Sequence, residues 1–178
     1  TPTLTVPRGA KLNTLLPSDS SEFQYVVFEE QQAVGVAVVI NNVNYVQYTF
    51  SNVVIVEGTV RELKYRVDND IENQKFQLSD YNADTSTLKV RVQTNEEQEA
   101  FDIFTPFESL RNVDSASKVY YLQENSSGYY EIYFGDGVTG FKPSNNNIVT
   151  VDYIITEGRE SNGANTFSMV DNIGGFSN

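Results

Sequence analysis

Tyr129-Tyr130-Glu131-Ile132-Tyr133-Phe134-Gly135-Asp136-Gly137-Val138-Thr139-Gly140 runs an alternating aromatic strand into a glycine-spaced turn. A period of two places Tyr130, Ile132 and Phe134 on one side of a sheet and Tyr129, Glu131 and Tyr133 on the other. Asp136-Gly137 is a pair that accepts the positive φ angles of a tight hairpin turn. The stretch therefore predicts a β-hairpin with a structural turn at Gly135, Asp136, Gly137 and Gly140.

The same alternation recurs on both sides of it. Leu63, Tyr65 and Val67 oppose Glu62, Lys64 and Arg66, and Leu88, Val90 and Val92 oppose Lys89, Arg91 and Gln93. Such half-wet strands point to antiparallel sheets with one solvated face. Residues 118–124 and 148–155 also read as strands, the latter setting Val149, Val151, Tyr153 and Ile155 against Thr150 and Asp152. Earlier in the chain, Leu4–Ala10 predicts a short strand closed by a Pro/Gly turn. Glu22–Glu30 and Tyr45–Val56 are strand-like, and the latter is broken by Glu57-Gly58. The apolar run Val34–Ile40 reads as a buried strand, followed by a turn at Asn41-Asn42.

Helical spacing is nearly met only once. Ala100, Ile103, Phe104, Phe107 and Leu110 approach one face of a helix, but Pro106 interrupts it. The expected fold is mainly β, a β-rich α+β chain. Antiparallel sheets form one or two packed subdomains, with one or two short helices near 96–112. Turn residues accumulate around 68–74. The expected division is an N-terminal β subdomain at 1–70, a second at 71–160 carrying the hairpin, and a loop or arm at 161–178.

Composition narrows the function. The chain has 178 residues, no Cys and no His, which removes disulfides, thiolate metal sites and the commonest general base. Its 24 acidic and 12 basic residues give a net charge of −12. Residues 1–89 carry 7 basic and 11 acidic side chains (net −4), and 90–178 carry 5 and 13 (net −8). That charge repels phosphate backbones, so no nucleic-acid partner is expected, and it opposes close approach of two copies. No apolar run approaches the ~20 residues of a membrane helix, so no membrane insertion is expected. The chain begins at Thr1, as a fragment of a longer protein would.

No residues assemble into a catalytic site. Without His the usual triad is missing, although composition leaves a Ser/Lys or carboxylate-pair mechanism open. Glu29-Glu30 and Glu96-Glu97 are adjacent carboxylates and point apart on a strand or helix. Asp136 stands alone where a calcium loop needs several oxygen donors, and the Gly-x-Gly pair lacks the strand-to-helix setting of a phosphate loop. Asn125-Ser126-Ser127 matches a glycosylation acceptor, but nothing else signals secretion. The Tyr-rich strands at 119–133 keep a second reading alive, a non-enzymatic glycan- or receptor-binding β module. Catalytic residues, cofactors and metals are accordingly expected to be absent.

The opening stretch belongs to a longer ordered pattern: Val119–Glu124, then Tyr129–Gly140, then Asn147–Gly158 and Asn162-Gly163-Ala164. Upstream lie Val6-Pro7-Arg8-Gly9, Phe23-Gln24-Tyr25, Glu57-Gly58-Thr59, Phe76-Gln77-Leu78 and Asp84–Val90. This order resembles the baseplate-J-like family of contractile phage tails, and within it the wedge subunits of T4-like phages that ring the central hub. The Phe-Gly-Asp-Gly-Val block with its downstream Val-x-Tyr-x-x-Thr-x-Gly is its most specific part. Around Lys142-Pro143 the usual basic or Gly residues are replaced by Ser144-Asn145-Asn146-Asn147. The resemblance implies a structural virion protein without enzyme activity, assembled in the host cytoplasm. It also implies contact with other copies of itself and with neighbouring wedge proteins, and involvement in baseplate conformational change.

Overall fold

The computed structural model describes residues 2–15, 22–109, 113–156 and 163–174. Fifteen strands follow one another in these segments. They are β1 Thr3–Val6, β2 Lys11–Leu15, β3 Glu22–Val27, β4 Gln31–Val34, β5 Val36–Ile40, β6 Val43–Gln47, β7 Ile55–Glu57 and β8 Thr59–Arg66. Then come β9 Phe76–Gln77, β10 Ala83–Gln93, β11 Phe101–Pro106, β12 Val119–Glu124, β13 Tyr130–Phe134, β14 Ile148–Ile155 and β15 Ser168–Met169. The chain divides into two compact units, one made of 1–60 with 156–178 and the other of 61–155.

The unit 61–155 is built on a seven-stranded sheet in the order β8-β14-β10-β11-β12-β13-β9. β11 joins its two halves. Phe101–Phe104 pair antiparallel with β10, and Thr105 and Pro106 pair in parallel with β12. A strand that changes partners part-way along turns the corner of a sheet. Val90, Val92, Val149, Val151 and Tyr153 thereby share one core with Phe76, Leu78, Phe104, Tyr120 and Ile132. Phe134 meets Phe104 and Phe76 edge-on, with centroids 5.0 and 5.7 Å apart.

β14 lies between β8 and β10. Ile148 to Ile154 are all buried, so Thr150 and Asp152 do not form the wet face that alternation predicts. The cover over them is the sheet's own charged side chains. Arg91 Nη2 donates to Asp152 Oδ2 at 2.6 Å and to Glu62 Oε2 at 3.2 Å, and its guanidinium lies 5.4 Å from the centre of the Phe101 ring. A long cationic stem can hide polar strand residues while its head stays wet. A register shift between Asp84 and Lys89 removes part of the β10–β14 ladder. Thr87 repairs it, because its Oγ1 accepts from the Ile154 N–H at 2.9 Å and donates to the Asp84 carbonyl at 2.7 Å.

Tyr153 ties the core to the segment after β9. Its fully buried ring sends a hydroxyl to Asp80 Oδ2 at 2.6 Å, and the Ser79 N–H donates to that hydroxyl at 3.2 Å. Burial, then the hydrogen bond to Asp80, pushes the Tyr153 hydroxyl up to about 12. Desolvation works to raise the Asp80 carboxyl, but hydrogen bonds from Tyr153 and Ser79 and the charge of Arg61 hold it below its ordinary value.

The other unit is organised in smaller sheets. One has the order β15-β2-β3-β7, and β1 pairs with β4. Val6, Ala10 and Val27 form its buried cluster, with Leu12, Phe50, Val53, Ile55, Met169 and Ile173 packed against it. β5 and β6 make a separate two-stranded ribbon.

Three further expectations are corrected. The short helices near 96–112 do not form among the described residues, where β11 occupies the middle of that span. Asn95 Oδ1 accepts from the Glu97 and Gln98 N–H groups as a helix cap would, but the turn does not propagate. Pro106 fits the strand because Thr105 and Phe107 supply the donors, to Lys118 and Tyr120, and its missing N–H falls between them. Leu110 lies outside the described residues. Second, the segment after Phe134 is no hairpin. β13 pairs with β12 and β9, and the Gly-rich loop carries the chain across to β14. Third, the Val34–Ile40 run is not a buried strand, since Val34, Val36, Val39 and Ile40 are exposed.

Two outcomes test this core. Ile132→Ala is expected to lower unfolding free energy by about 2–5 kcal/mol in urea melts, whereas Ile103→Ala, on the exposed face of β11, stays within about 0.5 kcal/mol. Tyr153 holds its proton to a higher pH when folded than when unfolded. Its contribution is complete below about pH 10 and lost as pH rises to about 12. Melting temperature should fall across that window, and less steeply in Tyr153→Phe.

Candidate functional site

The predicted turn residues form one closed loop. Asp136 Oδ1 accepts from the N–H groups of Val138 at 2.9 Å and Thr139 at 2.8 Å, and from Thr139 Oγ1 at 3.3 Å. The Thr139 N–H, then that of Val138, holds the Asp136 carboxyl below its usual range. Gly137 and Gly140 sit at φ 90° and 94°, and the Gly137 N–H donates to the Gly140 carbonyl at 3.1 Å. Gly135 is required for a different reason. A Cβ there would stand 2.4 Å from the Gly140 carbonyl.

The loop is docked as well as closed. The Gly140 N–H donates to the Asp114 carbonyl at 3.0 Å, and the Phe141 N–H to the Ser117 carbonyl at 2.8 Å. Tyr121 adds its hydroxyl to the Thr139 carbonyl at 3.1 Å. Asp114 makes a matching turn, accepting from the Ser117 hydroxyl at 2.7 Å and the Ala116 N–H at 3.0 Å. Asp136 Oδ1 is thus engaged by the loop's own donors. Among the described residues no three acidic side chains gather closely enough to hold a metal ion. An open cleft of about 570 Å³ runs beside the loop, lined by Asp68, Asp70, Lys75, Phe76, Asp136 and Lys142 among others. It mixes charges of both signs.

The tyrosines of 119–133 are turned mostly toward one another. Phe107 stacks on Tyr121 at 4.6 Å, Tyr121 on Tyr133 at 5.1 Å, and Tyr81 lies 3.8 Å from Tyr129. Tyr120 is in the core. Glu131, nearly buried, accepts from Lys75 Nζ at 2.8 Å and Gln123 Nε2 at 2.6 Å. The Lys75 hydrogen bond is the main cause holding its carboxyl low, assisted against desolvation by Gln123.

Among the described residues, exposed apolar side chains also gather on the β5–β6 ribbon. Its strands pair from Val36↔Gln47 to Ile40↔Val43, joined by Asn41-Asn42 at φ 52° and 61°, the double left-handed turn that fits the strand twist. Val36 is 62% exposed, Val39 67% and Ile40 56%, with Val43, Tyr45 and Val46 each at 50%. Pairing register puts Val36, Val38, Ile40, Val43 and Tyr45 on one face and Ala37, Val39 and Val46 on the other. Both faces are therefore apolar. The signal that marks this in the sequence is charge: residues 31–56 contain no Asp, Glu, Lys or Arg and no Pro, in a chain that is 20% charged. Hydrophobicity alone suggested burial.

The family model for the third domain of the bacteriophage baseplate wedge protein gp6 matches residues 62–156. The chain belongs to that family. The matched segment coincides to within a residue at each end with the compact unit 61–155. The turn Gly135–Gly140 lies inside the gp6 third domain, and the β5–β6 ribbon lies before it. A curated relative, baseplate wedge protein gp6 of Enterobacteria phage T4, is 32% identical over 80 residues, covering 36% of this chain. The match takes in only 12% of that relative's length. Of the resembling motifs, Glu157-Gly158 and Asn162 fall outside the described residues.

Substitutions in the loop should separate its two constraints. Gly137→Ala places a Cβ at positive φ in no more than ordinary contact, 3.9 Å from the Lys142 Cβ, and is expected to lose about 1–2 kcal/mol. Gly135→Ala forces the loop off its own backbone and should lose more. Urea midpoints read both, and a smaller effect at Gly135 would contradict the close approach.

Proposed function

We propose that this chain is a structural domain of a phage tail baseplate wedge, acting through protein–protein contacts and not through turnover. The observation that carries the proposal is the coincidence of the gp6 third-domain match with a compact unit that has its own core. The locked Gly135–Gly140 loop is then a structural corner, not a ligand site. Its Asp136 and Gly residues serve to close a crossover between the two halves of the sheet. Kinship with the wider baseplate-J-like group is part of this reading, as are a place in the virion and assembly in the host cytoplasm.

Neighbouring wedge proteins and further copies of the chain are the proposed partners. A rigid β unit suits this work, because switching assemblies move packed bodies about interfaces and do not remould them. The glycan-binding alternative is weaker. A sugar stacks on a bare ring face, whereas Phe107, Tyr121 and Tyr133 lie against one another.

A density map of intact tails, with residues 61–155 fitted, tests the proposal. The unit is expected in the baseplate. Tails that carry no copy of the polypeptide would overturn it.

A further inference from the structure

We propose that the outer edge of β5 is a homotypic pairing edge. A second copy of this chain adds its own β5 antiparallel there, across a two-fold axis at Val38. The inference deepens the assembly reading above and rests on it for the setting, though the geometry comes from residues outside the gp6 third-domain match.

The first observation is an edge without protection. Among the described residues β5 and β6 pair only with each other, so there each leaves one side of its backbone unpaired. Exposed edges in β proteins are usually blunted by a charge, a proline or a bulge. The register from Val36↔Gln47 to Ile40↔Val43 runs without a shift, and the strands carry neither charge nor proline. An isolated two-stranded hairpin is marginal in water, and apolar surface on both faces makes it more so.

The second observation selects the occupant. Every residue of β5 is apolar, Val36-Ala37-Val38-Val39-Ile40. Antiparallel to a copy of itself, it sets Val36 opposite Ile40, Val38 opposite Val38 and Ala37 opposite Val39. These cross-strand pairs are mostly β-branched, a favourable combination. Two-fold contacts require such self-complementarity. The β6 edge lacks it, since Val43-Asn44-Tyr45-Val46-Gln47 would set Asn44 against Val46 and Val43 against Gln47.

Charge supports the same choice. Two copies carry −12 each, so contact through most of the surface opposes like charges. Residues 31–56 form a charge-free stretch where a copy can approach without burying a carboxylate. Five paired residues bury less than a stable dimer interface needs, so the contact is weak when the chain is free in solution. High local concentration in an assembly would strengthen it. Repulsion elsewhere is screened by salt, so association should tighten as ionic strength rises.

The test uses the whole 178-residue chain. Sedimentation at increasing concentration should show a monomer–dimer equilibrium whose association constant rises several-fold between about 0.01 M and about 1 M salt. Val38→Lys should abolish it while leaving the melting temperature unchanged. Because the chain has no Cys, Val38→Cys introduces a single thiol at the two-fold, and mild oxidation should give a covalent dimer. The rate should exceed that of Ser86→Cys, an exposed site in the other unit, by at least about tenfold. The proposal is overturned by a monomer at every concentration up to about 1 mM. Equal oxidation rates, or association that survives Val38→Lys, overturn it as well. Presence of the chain in the baseplate would stand or fall independently, on the fitted map of the tail.

Discussion

The unit 61–155 depends on burying β14 from both sides. A central strand loses solvent on two faces, so each polar atom it carries must find a partner within the fold. Asp152 finds Arg91, the Ile154 N–H finds Thr87, and the hydroxyl of Tyr153 finds Asp80 and Ser79. Breaking one of these leaves a desolvated group, which is more damaging than the loss of one ordinary surface contact. The exposed ion pairs around them, such as Arg66 with Glu96, contribute little.

The same constraint explains the Gly135–Gly140 loop. Its backbone must travel from β13 to β14 on the other half of the sheet, and it does so compactly by satisfying donors internally. Asp136 serves the Val138 and Thr139 amides, and Asp114 serves its own turn, so the two turns dock through backbone bonds. A carboxylate used in this way is a structural element. The β5–β6 ribbon behaves oppositely, with its apolar side chains exposed and, among the described residues, its edges unpaired. Both arrangements fit an assembly component that keeps one body rigid and offers another surface to a neighbour.

Most strands were legible because their period was clean. β8, with Leu63 and Tyr65 inward and Val67 buried just past its end, follows its alternation directly, as does β10 at Val90 and Val92. The turn at Asn41-Asn42 was legible from residue type alone. The helix expected near 96–112 was misread because Ala100, Ile103, Phe104 and Phe107 satisfy helical spacing by chance. Pairing with β10 and β12 gave those backbone groups better partners than a helix broken at Pro106. The ribbon departs from its apolar pattern because β-branched apolar residues usually mean burial, whereas here only the absence of charge around them marks an exposed strand pair.

By itself the sequence determined the β character of the chain, its acidic charge and the ordered motifs that point to its family. These are local properties, set by side-chain period, charge and φ preference. Only the tertiary structure decided which strand lies beside which. It made β14 central, sent the Gly-rich loop across the sheet and, among the described residues, left β5 and β6 without a third strand. Strand partners are chosen by contacts between residues far apart in the chain, and the period-two pattern of a strand says which face is apolar without saying what covers it.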